Sequence, residues 1–213
     1  MATAIQDGQT ILFTGDSITD SGRNQDGIGS GYVNFFKHML YTRELDKNIK
    51  IINTGIGGNN VENLRDRWMD DVVDYKPDWL SIKIGINDCM QAYGGNLPKQ
   101  EAAGYEEIYD QVIGDTKRHL PSCQILLITP FYGSYEALEG SHRGDIRNSI
   151  QDYISATIRL SEKYNTRLLN TSTLFEDAMK RRDHTDFFRV EPVHPSTIGH
   201  FLIAENVYRT LEE

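Results

Sequence analysis

Cysteine is nearly absent: Cys89 and Cys123 are the only two in 213 residues. Two cysteines do not make a disulfide framework, and no Cys-x-x-Cys or Cys/His ligand spacing accompanies them. Two free thiols in a reducing compartment are expected. Basic charge is also short. The 22 Lys and Arg are outnumbered by 31 Asp and Glu, leaving a net charge of −9. So acidic a chain repels phosphate backbones and anionic lipid, and no basic stripe with interleaved aromatics offsets it, so neither nucleic acid nor membrane is expected as a partner. Long apolar runs are missing as well. No stretch reaches the roughly 18 apolar residues of a membrane span, and the opening MATAIQDGQTILF lacks a basic segment followed by an apolar one. A soluble, cytoplasmic protein is expected. With six prolines and 25% charged residues, nothing indicates disorder or low complexity.

What is present alternates in period. TILFTG (10–15), IKIINTG (49–55), DWLSIKIG (78–85), QILLITP (124–130) and TRLLNT (166–171) are short, nearly continuous apolar runs bounded by Gly, Pro or Asn. Strands buried on both faces of a parallel sheet read this way. Between them lie helix-period stripes: Tyr32, Phe35, Phe36, Met39 and Leu40; Val61, Leu64, Trp68 and Val72; Ile108, Val112, Ile113 and Leu120; and Ile146, Ile150, Ile154 and Ile158. A last helix over about 196–212 offers Ile198, Leu202, Val207 and Leu211. Five strands separated by helices predict a three-layer α/β/α domain with right-handed crossovers. No linker or internal repeat divides the chain, so residues 1–213 are read as a single domain. Three long connections stand out: 85–101, 129–145, and 182–195 with its RDHTDFFRVEPVH. Long connections in compact α/β domains tend to carry function.

In open parallel sheets, ligands gather beyond the carboxyl ends of the strands. Gly15-Asp16-Ser17 follows the first strand, NTGIGGNN with Gly57 and Gly58 the second, and GINDC with Asn87 and Asp88 the third. EPVHPS, with Glu191 and His194, precedes the last helix. Each has a structural reading. Ser17 with Asp20 fits a helix N-cap, Gly57-Gly58 a tight turn, Asn87 an Asx turn, and His194 a surface residue held extended by Pro195. Together their chemistry is complementary. A serine hydroxyl needs a base, which His194 supplies, and an imidazole needs an acceptor on its other nitrogen, which Glu191 supplies. A tetrahedral intermediate needs donors for its oxyanion. The Ser17 amide, the Gly58 amide and the Asn87 side-chain NH2 are candidates.

In order, FTGDSITD, GIGGNN, GIND and VHPS resemble the blocks of the SGNH (GDSL) hydrolases, over about residues 10–211. The resemblance implies a flavodoxin-like fold with strand order 2-1-3-4-5. It also implies Ser17 as nucleophile, His194 as base, an oxyanion hole of Ser17, Gly58 and Asn87, and no metal or organic cofactor. Within the family, ILFTGDSITDSGR, GSGYV, NLRDRWMDDVVDYKPDWLSIKIGIND, TPFY and VHPSTIGH look most like bacterial cytoplasmic, oligomeric acetylxylan esterases. That implies removal of acetyl groups from xylo-oligosaccharides, a small acylated carbohydrate as partner, and a homo-oligomer. One position departs from the pattern. The family's D-x-x-H has Glu191 here, one methylene longer, with Asp186 and Asp183 upstream as substitutes. Two alternatives stay open: a lipase- or thioesterase-like hydrolase of longer acyl chains, and a non-catalytic ligand-binding member.

The remaining candidates read as supporting or structural. Asp16 is expected to hold the nucleophile loop by accepting backbone N–H bonds, and Asp88 to act similarly. A metal site from Asp16, Asp20 and Asp88 matches no oxygen-cage spacing. His200, in the last helix, is read as unrelated to catalysis, and His38, His119, His142 and His184 have no evident partner. Phe131, Tyr132, Tyr135, Phe187 and Phe188 either stack on sugar rings, wall an acyl pocket, or pack at a subunit contact.

Overall fold

A strand that is apolar on both faces has to be covered on both, and the five predicted runs form such a sheet. The computed structural model describes residues 2–94, 101–134 and 140–212. Among these, β1 (Thr10–Gly15), β2 (Lys50–Asn53), β3 (Trp79–Lys83), β4 (Gln124–Ile128) and β5 (Arg167–Leu169) pair in parallel in the order β2-β1-β3-β4-β5. The register puts Ile11 beside both Ile51 and Trp79, and Leu80 beside Ile125. All five residues of β3 are buried, while the edge strands β2 and β5 are only partly so. The expected α/β/α fold and strand order hold.

The helices form two groups around the sheet. In one, α2 (Tyr32–Arg43) packs on α8 (Thr197–Thr210). In the other, α5 (Ala102–His119) packs on both α3 (Val61–Asp66) and α6 (His142–Tyr164). The predicted stripes face inward except at the start of α8. In α8 the buried face is Ile203, Ala204, Val207 and Tyr208, and Ile198 is half exposed. Past α3 the chain switches to a π-helical turn, Met69–Val73, that still buries Trp68 and Val72. The connection 85–101 is not all loop, since it opens with α4 (Ile86–Tyr93), packed on α6. Its short apolar face and its Asn-Asp start hid it from a periodicity reading.

Because the order reverses direction at β1, the ends of β2, β1 and β3 open side by side. Two further links bring distant segments to that edge. The 182–195 connection is anchored by its aromatics, for Phe131, Phe175 and Phe188 stack with centroids 4.7, 5.7 and 4.6 Å apart. Phe131, Phe187 and Phe188 are therefore buried within the chain. Tyr132 is half-buried, and Tyr135 lies outside the described residues. The second link is Asp88 in α4, whose Oδ1 accepts the Val61 backbone N–H at the start of α3 at 3.0 Å. Burial pushes the Asp88 carboxyl from 3.8 up to about 7, against the pull of the Val61 hydrogen bond.

Replacing Phe188 by Ala removes the centre of the aromatic stack. It should cost about 3–5 kcal/mol in denaturant unfolding and free the loop carrying Glu191 and His194. Asp88 generates a pH effect. Folded protein keeps a proton on this carboxyl that the unfolded chain sheds above pH 4, so its contribution to stability is lost as pH rises toward 7. Asp88→Asn keeps an acceptor for Val61 without the charge. Relative to wild type it should gain on the order of 2–4 kcal/mol at pH 8 and little at pH 4, read as melting temperature at the two pH values.

Candidate active site

The site begins where β1 ends. Gly15 has φ +152°, and a Cβ there would lie 2.0 Å from the Lys83 carbonyl, so only glycine lets β1 close on β3 at this point. The chain then turns into α1 (Ser17–Asp20). Asp16, not Ser17, is the N-cap, and its Oδ1 accepts the Ile18 N–H at 2.9 Å. Ser17 is thus the first helical residue. Among the described residues its own N–H has no acceptor, as expected for the first turn of a helix.

Ser17 Oγ lies 2.8 Å from His194 Nε2, and His194 Nδ1 lies 2.8 Å from Glu191 Oε1. The carboxylate accepts from Nδ1–H, which leaves Nε2 as the acceptor for the serine O–H. The extra methylene of Glu191 is absorbed by the turn itself, because Oε2 folds back to accept the N–H groups of Val193 and His194, each at 3.0 Å. Burial opposes the Glu191 charge. Hydrogen bonds from the His194 backbone, its imidazole and Val193 outweigh it and hold the carboxyl below its ordinary value. Asp186 and Asp183 are engaged elsewhere. Asp186 Oδ2 accepts from Arg182 at 2.9 Å, and Asp183 accepts the Thr185 N–H at 2.9 Å. The loop is closed by Arg189 N–H on the His194 carbonyl at 3.1 Å and by Gly133 N–H on the Pro192 carbonyl at 2.8 Å.

The donor side comes from the ends of β2 and β3. Gly58 has φ +80°, a left-handed conformation that favours glycine, and open space lies where a Cβ would project. Among the described residues its N–H also has no acceptor. Asn87, in the first turn of α4, donates one amide hydrogen to the Asn59 carbonyl at 2.8 Å, which leaves the other for a ligand. The glycine loop is braced by Asp20, whose Oδ2 accepts the Gly57 N–H at 3.0 Å. Arg67, unremarked in the sequence, reaches Asn59 Oδ1 at 2.8 Å and the carbonyls of Thr54 and Gly15 at 2.7 and 3.1 Å. Its spacing to Asp71, with which it pairs at 2.6 Å, reads as a surface helix pair and concealed this role.

Beneath the turn, Asp16 is fully buried and its Oδ2 lies 3.8 Å from the equally buried Lys83 Nζ. Beside the serine is a cavity of about 350 Å³, lined by Ser17 and His194 together with Asp20, Ser30, Arg189 and His200 among others. His200, set aside on sequence, is therefore part of the cleft. Among the described residues no group of three His, Cys, Asp or Glu is placed to hold a metal ion.

A profile of the GDSL-like lipase/acylhydrolase family matches residues 13–202. An acetylxylan esterase from Geobacillus stearothermophilus is 32% identical over 217 residues, covering 97% of this chain and 95% of the relative. The crystal structure of Axe2, an acetylxylan esterase from the same organism, superposes with a TM-score of 0.87 at 31% identity over 97% of this chain and 95% of that one. Structures of catalytic mutants of Axe2 replace a serine, an aspartate and a histidine by alanine. The lipoprotein YqeF of Bacillus subtilis is 26% identical over 80% of this chain and 73% of its own length. With its four motif blocks converging at one sheet edge, the chain belongs to the GDSL-like lipase/acylhydrolase family and is a carboxylic ester hydrolase.

Proposed function

We propose that the chain is a serine esterase that removes acetyl groups from carbohydrate esters such as acetylated xylo-oligosaccharides. The observation that carries this reading is the unbroken line from Ser17 Oγ through His194 to Glu191, each link 2.8 Å, with the Gly58 and Asn87 donors at the neighbouring strand ends. In the proposed mechanism Ser17 Oγ attacks the acetyl carbon as its proton passes to His194 Nε2. The oxyanion is held by the Ser17 and Gly58 N–H groups and the free hydrogen of the Asn87 amide. Collapse of the intermediate expels the sugar oxygen, which takes the proton from His194. Water, deprotonated by His194, then releases acetate from the acyl-serine. Glu191 holds the imidazole in its Nδ1–H tautomer and stabilises the imidazolium formed in each half-reaction.

The polar walls of the cleft support a hydroxylated alcohol half over a long acyl chain, and the acetylxylan esterase relatives support the choice of sugar. Cys89 and Cys123 are buried and unpaired, with thiols that burial pushes up to about 12, which supports a reducing, cytoplasmic location. Among the described residues no helix is long and apolar enough to cross a membrane. Half-exposed Ile198 and Phe201, with the fully exposed Val190 near the triad, support assembly into a homo-oligomer.

Acetate release from acetylated xylo-oligosaccharides tests the reading. Wild type should release acetate, and Ser17→Ala should lose at least about 10⁴-fold in kcat. Retained activity in Ser17→Ala, or a rate maximum at octanoate in a p-nitrophenyl ester series, would overturn it. Glu191→Gln, which keeps the side-chain shape without its charge, should lower kcat about 10²–10⁴-fold with KM little changed. Glu191→Asp, too short to span both the imidazole and the two backbone N–H groups, should fall between; a Glu191→Gln variant as fast as wild type would remove Glu191 from the triad.

A further inference from the structure

His200 is the feature of the cleft that the mechanism leaves unused. Its side chain is 5% exposed, and Nδ1 accepts the backbone N–H of Tyr32 at 3.2 Å, across 168 residues of sequence. A backbone N–H can only donate, so Nδ1 carries no proton, and the imidazole is locked as the neutral tautomer with hydrogen on Nε2. The ring is wedged in place: a Cβ on Gly31 would lie 3.0 Å from its Cε1. Among the described residues Nε2 has no hydrogen-bond partner, yet it is not among the buried polar atoms left unsatisfied. The small surface the residue retains opens onto the cavity it shares with Ser17 and His194. Burial first, then the charges of Arg189 and Lys83, push the imidazole down to about 4, so it stays a neutral donor through the range in which His194 must act.

We propose that His200 is a specificity-determining residue, donating its Nε2–H to an oxygen of the sugar that forms the alcohol half of the ester. The cavity wall decides which half of the substrate this is. It contains Ser17 and His194, the base that must protonate the departing alcohol, but neither Gly58 nor Asn87, the donors assigned to the acyl oxygen. Its volume of about 350 Å³ falls at the small end of ligand sites, which run from about 300 Å³ upward. Asp20 and Arg189 on the same wall add an acceptor and a donor. A rigid donor with no protein partner rejects an alcohol that leaves it unpaired, which is how a buried hydrogen-bonding group discriminates among substrates.

The inference rests on the carbohydrate-esterase reading, and one comparison separates the two. Hydrolysis of p-nitrophenyl acetate, whose leaving group is not a sugar, is measured beside acetate release from acetylated xylobiose. In His200→Phe, kcat/KM for the sugar ester should fall about tenfold or more, while that for p-nitrophenyl acetate stays within about twofold to threefold. His200→Asn covers the case in which the phenylalanine variant does not fold. It keeps an acceptor for the Tyr32 N–H while drawing the donor back from the cleft, and should show the same selective loss. An equal fall on both substrates with a lowered melting temperature would mean a merely structural role and overturn the proposal, as would unchanged kinetics on the sugar ester. Wild type active on p-nitrophenyl acetate but inert on every sugar acetate would overturn the carbohydrate reading, and this inference with it.

Discussion

A carboxylate and an ammonium, both wholly buried, face each other at 3.8 Å under the turn that presents Ser17. The site hangs on this pair. Asp16 fixes the turn by capping it, and Lys83 on the adjacent strand is the only buried cation near enough to balance its charge among the described residues. Desolvation pushes the Lys83 amine down, and Asp16 pushes it back up. A pair of this kind adds little net stability, but removal of either member strands the other in the core, at a typical cost of about 3–5 kcal/mol. Its value is placement. The same ammonium sits 4.6 Å from the centroid of the Phe131 ring, and Phe131 packs on the Phe188 that anchors the Glu191–His194 loop. Ser17 and His194, 177 residues apart, are thereby held against one buried pair.

The oxyanion side depends on a different kind of link. The segment around Gly58 runs between half-buried Ile56 and buried Val61, and the glycine turn between them is fixed by hydrogen bonds at several points. Asp20 takes the Gly57 N–H, Arg67 and Asn87 hold Asn59, and Asn60 closes a capping box with Asn63. These partners come from α1, from α3 with its C-terminal cap, and from α4, so the Gly58 turn is held by three separate segments of the fold. A donor oriented before substrate arrives needs no reorganisation when negative charge develops, which is the source of its catalytic leverage.

The cleft divides the same way. The face carrying Ser17 and His194 is set by burial and charge balance, the Gly58 face by polar ties, and the wall beyond them by rigidly held side chains such as His200. An imidazole held neutral by a backbone N–H and one hydrogen-bonded to both Ser17 and Glu191 lie in the same cavity. Their hydrogen-bond partners, not their residue type, separate the two roles.

Much of this was legible in the sequence. Periodicity delivered five strands because double-sided burial leaves a near-continuous apolar run, and the four polar blocks at the strand ends could be assembled because each has a chemical complement in another. Periodicity misplaced the start of the buried face of α8, where Ile198 is half exposed, and it hid α4, whose single short span carries too few turns to show a stripe. Tertiary structure alone decided the rest. Glu191 fits in place of a shorter acid because the turn folds its second oxygen onto two backbone N–H groups. Asp16 rather than Ser17 caps the helix, which leaves the serine amide free. Arg67, Lys83 and His200 look like an ion-pair partner, a misplaced lysine and a spare histidine when read along the chain. Their roles are set by partners 8 to 168 residues away, and only the folded chain supplies those contacts.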